Sequence, residues 1–204
     1  AFVIDGAQRA QLIASDPRSK DIIKPYLRGR DIKRWKIDDQ DTWLIYIPWH
    51  FPLHEDSSVT GASLKAEEQL AVQYPAIYEH LLSHREGLEG RNKAETGIRY
   101  EWYALQRWGS AYWKLFEKDK IIIPAIAERP EAAPDRQGYY VNNKATFFVA
   151  DDIYYVLAII NSQVSRWFAE QNFASKQGGF YDFEPRYSST FVIPILNGEP
   201  KTTI

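Results

Sequence analysis

Residues 151–168 read DDIYYVLAIINSQVSRWF. Ile153, Val156, Leu157, Ile160, Val164, Trp167 and Phe168 recur at helical spacing on one stripe, and Asp151 or Asp152 stands where an N-cap carboxylate meets the first free amides. Tyr154, Tyr155 and Ile159 add apolar surface off that stripe, so the helix is expected to be covered on two sides. Upstream, Lys120 to Ala127 (KIIIPAIA) is a strand by its β-branched run, and Pro124, with no amide to give a ladder, suggests an edge or a bulge. Tyr139 to Val141 and Thr146 to Val149 flank Asn142-Asn143, residues that tolerate positive φ, and predict a hairpin. Downstream, FASKQGGFYDFEPRY (residues 173–187) reads as a loop ahead of a last strand, Phe191 to Leu196.

The N-terminal half continues the mixture. Residues 2–4 suit a short strand and Ala7 to Ala14 a helix, after which Asp16-Pro17 looks like an N-cap with Pro at N1 of a second helix ending near Pro25. Arg28-Gly29-Arg30-Asp31 signals a turn, and Thr42 to Trp49 is a strand closed by Pro48. From Ser63, the apolar residues Leu70, Tyr74, Ile77, Tyr78, Leu81 and Leu82 predict a helix that Pro75 must kink or split. Glu86 to Gly97 is polar and reads as loop. Helices and strands alternate irregularly, with no internal repeat, so the predicted class is α+β (mixed α/β), with a central mixed or antiparallel sheet flanked by helices. One domain over residues 1–204 is the expectation.

Composition excludes several classes of protein. The chain is 45% apolar and carries Trp 7, Tyr 13 and Phe 10, far too much buriable surface for a disordered segment, yet no apolar run is long enough for a membrane span. Cysteine is absent, which removes disulfides and thiolate zinc sites and suits a reducing cytosol. Methionine is absent too, so a chain opening AFVIDG reads as a piece of a longer protein. A net charge of -2 argues against a uniformly basic nucleic-acid binder. The charge is uneven, however: KPYLRGRDIKRWK gathers Lys24, Arg28, Arg30, Lys33, Arg34 and Lys36 around the single acid Asp31. Such a run is either a solvated face or an anion-binding one.

Motifs for catalysis are missing. There is no G-x-S-x-G, no P-loop, no G-x-G-x-x-G and no H-E-x-x-H. Asp31-Ile32-Lys33 has the acid-x-lysine form found in metal-dependent nucleases, but such triplets arise by chance. The four histidines form two H-x-x-x-H pairs, His50 with His54 and His80 with His84; Glu79 or Glu86 lies near the second, but no third zinc or nickel ligand is fixed. Incidental histidines explain both pairs, so no catalytic or metal-binding residue is assigned. More informative is Lys176-Gln177-Gly178-Gly179-Phe180-Tyr181, which joins a cation and an amide to two small residues that let a backbone approach a phosphate, and to aromatics able to stack on bases. Arg186 follows closely. An ordinary connection in which the aromatics only pack is the competing explanation.

Taken in order, residues 1–35 (ending LRGRDIKRW), FEKDKIIIPAI (116–126), YYVLAIINSQVSRWF (154–168) and GGFYDFEPRYSSTFVIPI (178–195) resemble the TaqI-like C-terminal specificity domain. In that family the domain follows an adenine-N6 DNA methyltransferase domain, in stand-alone methyltransferases and in fused restriction-modification enzymes. The resemblance implies a prokaryotic, cytoplasmic, DNA-associated target-recognition domain, whose partners are double-stranded DNA and the N-terminal methyltransferase domain of the same polypeptide. It implies phosphate contacts from Arg28, Arg30 and Lys33, to which the basic run adds Lys24 and Arg34 as backbone contacts, and a groove-facing loop of Lys176, Gln177, Gly178, Gly179 and Tyr181, with Arg186 beside it. Residues 50–109 match nothing in the family closely and are expected to be a divergent insertion. The glycine-containing strand-turn that binds S-adenosylmethionine and the Asn/Asp-Pro-Pro-aromatic tetrad that holds a flipped adenine are both missing. The chain is therefore expected to bind and not to catalyse, and to need no cofactor, S-adenosylmethionine being implied only for the methyltransferase domain. The residues alone leave two alternatives: a carbohydrate- or protein-binding module using Trp43, Trp49, Trp102, Trp108 and Trp113, and a small metal-dependent nuclease.

Overall fold

The structure, a computed structural model, describes residues 1–194. The chain begins β1 (Val3–Asp5), α1 (Gly6–Ser15), α2 (Ser19–Ile22) and β2 (Ile23–Leu27), then a 3-10 turn (Gly29–Asp31), β3 (Ile32–Lys33), β4 (Lys36–Ile37) and β5 (Thr42–Ile45). Three helices follow, α3 (Leu64–Gln73), α4 (Pro75–Leu82) and α5 (Arg85–Glu89). The strands β6 (Lys120–Pro124), β7 (Ile126–Ala127), β8 (Ala133–Asp135), β9 (Tyr140–Val141) and β10 (Ala145–Phe148) precede α6 (Ile153–Ile160) and α7 (Gln163–Asn172). Last come β11 (Ser175–Lys176), β12 (Phe180–Asp182) and α8 (Pro185–Ser188). The class is α+β, as the sequence predicts. The elements gather into two compact units, residues 1–27 with 39–118 and 137–140, and residues 28–38 with 119–136 and from 141 onward.

The first unit is built on a sheet ordered β1-β5-β2-β9, in which β5 pairs antiparallel with both β1 (Val3 opposite Leu44) and β2 (Lys24 opposite Leu44 from the other side). Asp5 accepts the Gln8 amide at 2.8 Å and starts α1 as one half of a capping box. Helices α3 and α4 bury Leu70, Ile77 and Leu81 completely, each such side chain contributing about 1.5–3 kcal/mol. Pro75 splits the predicted helix by standing at its new N1, where a missing amide costs nothing. Residues 50–109 supply much of this core: Leu88, Tyr100, Trp102 and Tyr103 pack with Ile45 and Ile47. Buried Glu101 ties the segment down, accepting the His50 and Ser63 amides at 2.8 and 2.9 Å and meeting His50 Nδ1 at 3.0 Å.

The second unit centres on β6, flanked antiparallel by β10 (Thr146 opposite Ile123) and β8 (Lys120 opposite Asp135). Lys120 and Asp135 form an ion pair with no exposed side-chain surface. Ile121, Ile123, Leu157, Ile160, Ala169 and Phe183 make the core. At Ala125 the strand bends: the Ala125 amide bonds to the Lys144 carbonyl at 2.9 Å, the Ala125 carbonyl accepts from Phe183 at 2.8 Å, and the chain continues as β7. There β12 adds antiparallel, with β11 outside it, in a small sheet ordered β11-β12-β7.

Several local expectations are corrected. Arg18, not Asp16, precedes α2, because Asp16 closes α1 and its side chain turns to the Arg18 amide. Pro25 lies inside β2, opposite Trp43, and does not end a helix; β5 stops at Ile45, ahead of Pro48. The polar stretch 86–97 contains most of α5, anchored by buried Leu88. Pro124 closes a central strand and not an edge, being the last residue of β6. The hairpin across Asn142-Asn143 does not form: β9 joins the first unit's sheet and β10 pairs with β6. The helix read across 153–168 breaks at Asn161, and Ser162 caps a second helix through the Ser165 amide at 3.1 Å. That break shifts the phase, so Val164 and Trp167 are exposed and not buried. Phe191–Pro194 carries no strand, and residues 195–196 of that prediction lie outside the described residues.

Candidate nucleic-acid interface

Every sequence-predicted binding residue except Lys24 belongs to the second unit. Lys24 lies in β2 of the first unit, half-buried, with Nζ 3.0 Å from Glu117. The others, apart from Arg186 in α8, fall on two short devices, one attached to β6 and one to β7.

The first device is the turn and hairpin of residues 28–37. Asp31, buried, accepts the Arg28 amide at 2.8 Å and so braces the 3-10 turn from beneath, while the Arg28, Arg30 and Lys33 side chains stay exposed. Gly29 is required there, because a Cβ would lie 2.4 Å from the Lys144 carbonyl oxygen. With its carboxylate spent on this turn, Asp31 is a structural acid, which weakens the nuclease reading of Asp31-Ile32-Lys33. Strands β3 and β4 pair Lys33 opposite Lys36, leaving Arg34 and Trp35 as a two-residue turn. Lys36 meets Asp38 at 2.8 Å.

The tip of that hairpin is anchored from behind. Asn161, buried at the break between α6 and α7, exchanges two bonds with Ala132: its Oδ1 accepts the Ala132 amide and its Nδ2 donates to the Ala132 carbonyl, both at 2.9 Å. That same carbonyl accepts the Trp35 amide at 2.8 Å, and the Asn161 carbonyl accepts the Arg34 guanidinium at 2.8 Å. Arg34 is thus partly a strut. Trp35 has φ +75° and 47% of its surface exposed, with the Arg34 guanidinium 5.3 Å from its ring centre. Neither Trp35 nor the Asn161 anchor stands out in the sequence; a Trp at a left-handed position is invisible to composition.

The second device is the hairpin of β11 and β12, a three-residue loop of Gln177, Gly178 and Gly179 with Lys176 opposite Phe180. Gly178 and Gly179 take φ +84° and +80°, which only glycine adopts freely. Gln177 is exposed at the tip. Lys176 and Arg186 both reach buried Asp182, at 3.2 and 2.9 Å from Oδ2. Burial alone raises a carboxyl's pKa, but the Glu184 amide, Arg186 and Lys176 outweigh it and hold Asp182 below the usual aspartate range. The two aromatics part company: Tyr181 packs on the core, opposite Ala127, whereas Phe180 turns outward. Phe180 therefore takes the exposed place that the sequence reading gave to Tyr181.

The other features are absorbed by packing. Trp102 is buried with its Nε1 bonded to Glu67 at 2.8 Å, Trp49 stacks on Tyr100 at 4.8 Å, and Trp43 lies under Arg9 at 3.8 Å. Among the described residues the two exposed tryptophans are Trp35 and Trp167, neither of them in the Trp-rich set proposed for glycans. His80 Nε2 meets the Ala1 carbonyl at 2.8 Å, and no cluster of three metal-ligating side chains occurs among the described residues. No helix among them is long and apolar enough to cross a membrane.

The chain as a whole is similar to known proteins. The family model of the TaqI-like C-terminal specificity domain matches residues 24–195. The Type II methyltransferase M.MjaIV of Methanocaldococcus jannaschii is 25% identical over 217 residues, an alignment that covers 99% of this chain and 66% of that protein. The solved structure of the Type IIL restriction-modification enzyme MmeI in complex with DNA superposes with a TM-score of 0.55 at 13% identity, over 91% of this chain and 22% of that one, a likeness of fold. The chain thus spans less than two thirds of the length of either relative.

Proposed function

The chain belongs to the family of TaqI-like C-terminal specificity domains, and from that premise we propose that it reads the target sequence in duplex DNA for an adenine-N6 methyltransferase, alone or fused to a restriction enzyme. The observation that carries this reading is the turn at residues 28–33. A buried aspartate and an obligatory glycine fix its backbone, and its three cations have been left to solvent. A charge run that served solubility alone needs no such brace. Arg28, Arg30 and Lys33 would hold phosphates, which position the protein on any sequence. The glycine hairpin would reach base edges, with Gln177 as its hydrogen-bonding side chain and Phe180 as its aromatic, while Lys176 and Arg186 stiffen the loop through Asp182. Methyl transfer belongs to the methyltransferase domain, with S-adenosylmethionine bound there, and this chain supplies neither catalytic group nor cofactor site.

The test is duplex binding as a function of salt. Reversing Arg28, Arg30 and Lys33 to Glu together is expected to weaken binding to all sequences alike and to flatten the log-log salt dependence by up to about 0.9 for each phosphate no longer neutralised. Unchanged affinity in that triple variant overturns the assignment.

A further inference from the structure

A tryptophan at φ +75° is out of place. The second position of a two-residue turn with positive φ is where glycine or asparagine is normal, because a Cβ crowds the following carbonyl. A bulky residue persists there only where the surroundings over-determine the backbone, and such outliers gather at functional sites. Here the surroundings do so twice. The Trp35 amide is fixed to the Ala132 carbonyl, and Ala132 is itself clamped at both its backbone amide and its carbonyl by the side chain of buried Asn161. A fourth bond, from Arg34 to the Asn161 carbonyl, ties the neighbouring tip residue to the same point. None of these bonds restrains the indole, which stands about half exposed with Lys33, Arg34 and Lys36 around it.

We infer that Trp35 is a preset nucleobase-contacting residue: the Asn161–Ala132 clamp holds its backbone in a strained conformation so that the indole is presented to a base of duplex DNA, between cations that hold the flanking phosphates. The chemistry is that of an aromatic wedge: the faces of paired bases are covered by their neighbours, so the indole, apolar, rigid and indifferent to hydrogen-bond pattern, meets a base step at its edge or enters where the stack opens, and the surrounding charge recruits the polyanion that carries the bases. This rests on the DNA-reading assignment above and adds to it an interaction that is not electrostatic.

That difference makes the two separable. In the intact protein, binding to a mixed-sequence duplex is measured across a salt series for the parent and for Trp35→Gly, Trp35→Phe and Lys33→Ala. Trp35→Gly removes the strain, so its melting temperature is expected to be unchanged or raised, while affinity falls about tenfold at every salt concentration with the slope unaltered. Trp35→Phe keeps an aromatic face and should retain most of the affinity. Lys33→Ala should lower the slope by about one instead. Intrinsic fluorescence should be quenched by DNA in the parent, with that part of the quench abolished in Trp35→Phe, a readout that survives even if the glycine variant folds poorly. Affinity within twofold of the parent in Trp35→Gly, or a loss accompanied by a flatter slope, overturns the inference. Failure of the parent itself to bind any duplex sinks the DNA-reading assignment instead.

Discussion

Asn161 spends its whole side chain on the backbone amide and carbonyl of one residue, Ala132, as a neighbouring strand would. Asn161→Ala leaves the buried Ala132 amide without that acceptor, and is expected to cost about 1–3 kcal/mol, read from the denaturant midpoint. Lys120 and Asp135 are a sharper case, because both lie fully out of solvent on adjacent strands. Truncating one, as in Lys120→Ala, strands a buried charge and should cost about 3–5 kcal/mol, whereas Lys120→Met with Asp135→Leu should come much closer to the parent. A double-mutant cycle on urea unfolding separates the two outcomes. Arg91 is a quieter example in the first unit, donating to the Leu88, Trp102 and Ala104 carbonyls at 3.0, 2.7 and 2.9 Å from a segment that reads as featureless loop. Such roles are illegible in a sequence, since they depend on which distant carbonyls the fold brings within reach.

Elements were legible where one local signal settled them. The stripe beginning at Ile153, the cap at Asp152 and the split at Pro75 all follow from spacing or from proline's missing amide. Pairing was not: β9 and β10 look like one hairpin, but each joins a different sheet, with partners distant in sequence. The glycine hairpin sits between these cases, its loop predicted and its short strands hidden in 15 residues that lack any alternation. Its acid response follows from Asp182. A carboxyl held below its ordinary pKa of 3.8 contributes stability that is complete above that value and is lost as pH falls towards the depressed one. Hydrogen exchange in β11 and β12 should therefore rise in that acid range in the parent, and Asp182→Asn should show the raised exchange already at neutral pH. If the loop reads bases, Gln177→Ala should narrow the gap between cognate and single-mismatch duplexes, a bidentate base interaction discriminating by about 1–3 kcal/mol. Equal loss on both duplexes would leave the loop a positioning role.

Across the molecule, the two units answer differently to pH. His54 and His80, both in the first unit, are pushed below the ordinary 6.5 chiefly by burial. Stability carried by a neutral buried histidine is complete above that value and falls as pH drops through it, because only the unfolded chain takes up the proton readily. The melting temperature should decline from about pH 6.5 downward, and less steeply in His54→Gln with His80→Gln. Class and cationic patch were readable from the chain, since both rest on local composition; the two-unit division was not, because residues 28–38 leave the first unit's sequence to join the second. The basic turn packs on β6 and the glycine hairpin on β7, one residue apart across Ala125. Because β6 breaks at Ala125 and the chain resumes as β7 in another sheet, that one residue is the joint between the two devices. Successive strand residues point to opposite faces, so inserting or deleting a residue at the joint turns over everything that follows it, and such a change is expected to unseat the glycine hairpin from its place and leave the basic turn as it is.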